Sequence, residues 1–124
     1  MARKPDRLLS EVQLAQADLS GAADSISQAL MIADERGDDE LRFYALLNRS
    51  DVWMKSCDLA RLSKDCLPKI DLAVRDYTEA RAAATRLNWA GLVRMMDDFM
   101  RHGETQARLV RAHEEIDKQR KGRE

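Results

Sequence analysis

The residues able to do chemistry are few, and their spacing works against them. The only two histidines are His102 and His113. On one helix they would share a face yet lie roughly 16 Å apart, too far for a common metal ion. Cys57 and Cys66 are the only cysteines. On one helix they would face opposite sides, roughly 13 Å apart along the axis. Neither has a histidine near it in sequence to act as the base that nucleophilic catalysis requires. They read as a reduced, partly buried pair. Asp97 and Asp98 are adjacent, and adjacent helical side chains diverge by about 100°, so the two carboxylates do not form an acid–base pair by themselves. A glycine-rich phosphate loop is also missing from the sequence. These residues predict no enzyme activity, no metal site and no cofactor.

Three groups suit binding instead. Met95, Met96, Phe99 and Met100 form a soft apolar cluster. Met96, Phe99 and Met100 fit a core stripe, and Met95, off that stripe, fits an exposed contact. Trp89 suits either an inter-helix wedge or a recognition anchor. The basic tail Lys118, Arg120, Lys121 and Arg123 reads as a solvated end.

The elements that must position these residues are helices. Ala, Leu, Arg, Asp and Glu dominate, with five Gly and two Pro in 124 residues, and no β-branched run alternates with polar residues. The length fits one domain with a core of its own. A formal net charge of −1 argues against a dedicated nucleic-acid binder. No apolar run approaches the ~20 residues that span a bilayer, and the N-terminus lacks a secretory signal, so the expected compartment is the cytoplasm.

Periodicity divides the chain further. Residues 1–5 are expected to be disordered, with a first helix over about 6–17. A second carries Ala22, Ile26, Ala29, Leu30 and Ala33 on one face and closes at Gly37, with Asp38 or Asp39 capping its successor. The third has the strongest stripe: Phe43, Leu46, Leu47, Ser50, Trp53, Met54 and Cys57. Asp58 caps the next segment, which runs to Leu87 and should split near 64–68 because Pro68 removes a backbone donor. Asn88 to Gly91 read as a bend. A helix with Leu92, Val93, Met96, Phe99 and Met100 follows and should end at Gly103, with Thr105 capping a last helix that carries Leu109, Val110 and Ile116. Residues 118–124 form a charged tail.

Two stretches echo each other 40 residues apart. Ser10, Val12, Asp18, Leu19 and Ala33 recur as Ser50, Val52, Asp58, Leu59 and Ala73. A repeat at this period points to stacked helical hairpins. Within Leu46-Leu47-x-x-Ser50-x-x-Trp53-x-x-x-Cys57-Asp58, a small residue precedes an aromatic by three places, and a turn pair follows. Leu92-Val93, Phe99 and Gly103-Glu104 look similar.

This pattern resembles the tetratricopeptide repeat, in its longer form of about 40 residues per unit. The resemblance implies an all-α stack of antiparallel hairpins with five to six helices, in units of about 6–37, 38–88 and 89–117 within one domain, 6–117. Departures are Gln13 at the first aromatic position, Cys57 for the usual turn glycine, Leu62 and Lys69 for alanines, Pro68, and a turn spacing that widens from 40 to 46. The resemblance also implies a non-catalytic module that binds a protein or peptide in a groove lined by the inner helices. Arg42, Asn48, Arg49, Trp89, Arg94 and Met95 are the expected contacts. The alternative is a self-associating, homodimeric regulatory or signalling arm of a larger protein.

Overall fold

The computed structural model describes residues 19–57 and 59–123. Among them are four α-helices and no strand: α1 (Leu19–Arg36), α2 (Asp39–Lys55), α3 (Cys66–Arg86) and α4 (Ala90–Gly122). A single 3-10 turn, Leu59–Arg61, precedes α3. The helix expected over 6–17, the residues expected to be disordered and the Asp58 cap lie outside the described residues.

Two joints share one design. At the end of α1, Gly37 adopts a φ of +63°. Its N–H reaches the Asp34 carbonyl, and the Asp38 N–H reaches that of Ala33 at 2.9 Å. This is the Schellman arrangement, in which a left-handed residue ties off the last carbonyls. Asp38 then supplies an acceptor for the unpaired N–H groups that open α2, its carboxylate accepting from the Leu41 N–H at 3.0 Å. At the end of α3, Asn88 takes the glycine role with a φ of +60°. Its N–H bonds Thr85 and that of Trp89 bonds Ala84. Asparagine tolerates this region better than most side chains. The α1–α2 joint thus takes two residues and the α3–α4 joint three.

The expected split near Pro68 is present. Residues 62–65 are non-helical and α3 begins at Cys66, which puts Pro68 in its first turn. There the missing N–H costs nothing, because first-turn donors have no intrahelical acceptor.

The expected break at Gly103 is not present. Ala90–Gly122 is one helix of 33 residues, about 50 Å long, so there is no separate last helix capped by Thr105 and no third hairpin. The expected charged tail is its final turns. Gly103 is buried, and a Cβ placed there would come within 2.8 Å of Val74 Cγ2. The glycine lets α4 press close to α3, and that contact offsets the roughly 1 kcal/mol of helix propensity it forfeits.

Each helix packs chiefly on its sequence neighbour. The larger core gathers Leu30, Phe43, Leu46, Tyr77 and Met96 around the alanines of α3. Ser50 is buried as the stripe implies, against Tyr77 of α3, with its hydroxyl bonding the Leu47 carbonyl at 2.6 Å. A second core joins Cys66, Ile70, Ala107 and Val110, with Cys57, Leu59 and Leu62 against it. Cys57 and Cys66 thus sit in one apolar cluster and form no disulfide. No helix among the described residues is long and apolar enough to cross a membrane.

Candidate functional site

Among the described residues one carboxylate is buried. Asp76, on α3, is only 3% exposed. Arg49 of α2 grips it with two donors, Nε at 3.0 Å and a terminal nitrogen at 2.7 Å. Trp53 donates its indole N–H to the same carboxylate at 3.0 Å, and Arg49 also donates to Ser27 of α1 at 3.2 Å. The Asp76 hydrogen bond raises the Arg49 pKa, with burial acting in the opposite direction. Lys69 caps the Trp53 ring at 4.9 Å as a cation over its π face. This lattice ties three helices together and leaves Arg49 committed to the fold.

The other expected contacts divide. Arg42, half-buried, forms an ion pair with Asp34 of α1. Asn48 and Arg94 are exposed. Met95, expected on the surface, is half-buried against the core, while Phe99, expected inside, is 36% exposed with its ring 5.4 Å from Tyr77. The two exchange roles because α4 turns its core face toward Met96, Gly103, Ala107 and Val110. Trp89 is an inter-helix wedge that also borders a cleft. Its ring sits 5.7 Å from Phe43 and 6.1 Å from Tyr44, wedging α4 against α2, and its outer side lines a cleft.

That cleft, of about 510 Å³, lies at the α3–α4 joint between Arg81, Thr85, Trp89, Val93, Arg94 and Asp97. Arg94 and Asp97 also wall the next cleft, with Asp98, Met100, Arg101 and Glu104. Glu104 in turn walls a third, of about 640 Å³, with Asp71, Arg75, Arg108 and Arg111 over Ile70, Val74 and Ala107. The outer two clefts lie on the α3–α4 seam and the middle one is walled by α4 alone; linked by the shared residues Arg94, Asp97 and Glu104, this run of three clefts is the furrow. Arg81 bridges it to Asp97 at 2.6 Å, and Arg101 pairs with Asp98 on its own helix. Thus Asp97 and Asp98 do diverge, each to a separate arginine.

Of the expected contacts, Trp89 and Arg94 meet in the furrow, whereas Arg42, Asn48 and Arg49 do not line it. Arg75, Arg108 and Arg111 were not anticipated. The signal for Arg108 and Arg111 is present in the sequence: Arg94, Asp97, Arg101, Glu104, Arg108 and Arg111 follow a 3-4-3-4-3 spacing that keeps one helix face. Expecting a break at Gly103 cuts that stripe in two.

His102 and His113 are both exposed on α4. Among the described residues no three His, Cys, Asp or Glu side chains are placed to hold a metal ion. Compared with protein-family models, curated proteins and solved structures, the chain matches none.

Proposed function

We propose that this chain is a non-catalytic helical module, tetratricopeptide-like in its stacked hairpins, that binds a protein or peptide partner in the α3–α4 furrow. The observation that carries this reading is the furrow itself. It runs through three adjoining clefts and offers an aromatic wall at Trp89, apolar floor at Val93, Val74 and Ala107, and charged rims of both signs. An extended segment can lay apolar side chains on such a floor while its charges meet the rims. The two short, hydrogen-bonded joints supply the rigid scaffold that a preformed groove needs. A cytoplasmic setting fits the unbridged cysteines.

Site-specific photo-crosslinking in cells tests the reading. A benzoylphenylalanine at position 94 or 101 should capture the same partner, and one at position 48 should not. Capture from position 48 alone would move the interface to the exposed side of α2 and contradict the furrow.

A second reading rests on a different surface. Leu109 and Ile116, 47% and 58% exposed, lie two turns apart on one face of α4. Self-association through that face is the alternative. It predicts a concentration-dependent mass in light scattering that Leu109→Lys with Ile116→Lys abolishes.

A further inference from the structure

Two groups of arginines stand out among the described residues. Arg42, Arg49, Arg81, Arg86 and Arg101 each pair with an aspartate. Among the described residues, Arg75, Arg108 and Arg111 have no such partner, yet they surround one cleft. They reach it from two helices, Arg75 from α3 and the other two from α4. The close approach at Gly103 and Val74 draws these walls together. Two carboxylates, Asp71 and Glu104, share the rim, so three guanidiniums face two negative charges.

We propose that this cleft is an oxyanion subsite for a phosphorylated serine or threonine on the protein partner. The inference rests on the furrow being the partner's seat and names the chemistry of one of its contacts. A phosphate monoester carries about −1.5 to −2 charges at neutral pH and three acceptor oxygens. It can therefore engage three guanidinium forks at once, each a charge-assisted hydrogen bond. A carboxylate has two acceptor oxygens and so meets at most two of the three forks, whereas the third phosphate oxygen reaches the remaining one. The apolar floor of Ile70, Val74 and Ala107 lowers the local dielectric and strengthens the contact. A nucleic-acid backbone is disfavoured, because the furrow continues past Asp97, Asp98 and Glu104, which would oppose successive phosphates.

The test is an NMR titration of the full chain, following arginine side-chain N–H resonances. The probes are a short phosphoserine peptide with flanking leucines, its serine and glutamate counterparts, and a single-stranded RNA oligonucleotide. The phosphopeptide should shift Arg75, Arg108 and Arg111 selectively. The serine and glutamate peptides should not, and RNA should not displace it. Arg108→Ala and Arg75→Ala should each weaken binding at least about tenfold, whereas Asn48→Ala should leave it unchanged.

Absence of shifts at about millimolar peptide, equal binding of the glutamate peptide, tighter binding of RNA to these arginines, or undiminished binding by both alanine variants would each overturn the proposal. Failure of the phosphate subsite and failure of the furrow give different patterns. Shifts at Trp89 and Arg94 with the unphosphorylated peptide keep the furrow and remove the subsite. Shifts confined to the three arginines keep the subsite and remove the furrow.

Discussion

Asp76 sets the interior charge balance, and its partners show how far a single residue's role can depart from its place on a helical wheel. Arg49 lies off the core stripe of α2, yet its long side chain reaches around the helix to a carboxylate 27 positions away in sequence. Removing one member of a buried pair strands the other, which typically costs 3–5 kcal/mol. Arg49→Ala should therefore lower unfolding stability by about 3 kcal/mol, toward the low end because the arginine is itself part-exposed. Chemical denaturation measures this. Loss of partner binding in that variant would report unfolding rather than a contact.

Tyr77 makes a prediction in pH. Burial raises its pKa above the usual value, opposed by the Ser50 hydrogen bond and reinforced by Asp51 and Asp76. The folded protein then holds the phenolic proton at a pH where the unfolded chain has begun to lose it. Stability is full below the unfolded value near 10 and falls as pH rises through the folded one. Tyr77→Phe should flatten that alkaline decline in denaturation midpoints measured from pH 8 to 11. An unaltered decline would assign it to other groups.

Gly37, just past the end of α1, and Gly103, inside α4, separate what local sequence can and cannot specify at the level of elements. Gly37 has open space around its missing Cβ and a positive φ, so the backbone alone demands it. Gly37→Ala should cost about 1 kcal/mol through left-handed strain. Gly103 has the opposite character. Its φ is unexceptional and its surroundings are tight. Gly103→Ala gains about 1 kcal/mol in helix propensity but meets the stiff Val74 side chain, and overpacking typically costs 1–3 kcal/mol. The net change should be a loss, and Val74→Ala should rescue it in a double-mutant cycle. Additive effects would place the two residues out of contact.

This contrast explains why the α1–α2 joint and the split before Pro68 are legible in the sequence and the length of α4 is not. Gly37-Asp38 and Pro68 act on their own backbone. Gly103, followed by Thr105, has the same local signature as a helix end, and the deciding partner is 29 residues away. Asn88 closes α3 as a glycine would, which the sequence shows only as a bend. Met95 and Phe99 exchanged places for a related reason: the core face of α4 is set by α3 along its whole length, beyond the first three turns.

For the molecule as a whole, the division of charge matters more than its sum. The net charge is −1, but Arg75, Arg94, Arg108 and Arg111, with no ion-pair partner among the described residues, line the furrow, while Arg49 is matched to Asp76 in the interior. Such a surface favours a partner of mixed charge and makes association sensitive to salt. Reversing Arg94 and Arg108 to glutamate should weaken partner binding at least about tenfold while leaving the thermal midpoint within a few degrees, since both side chains are exposed. Co-purification and circular dichroism together separate those effects.

The furrow exists only because α4 runs unbroken past Gly103 and lays one charged face along α3. Backbone NMR across Met100–Ala107 examines that continuity directly. Uninterrupted helical ¹³Cα shifts with slow amide exchange from Gly103 to Ala107 are expected. Coil-like shifts and rapid exchange at Gly103–Thr105 would mean two helices, a divided charged stripe and no continuous furrow.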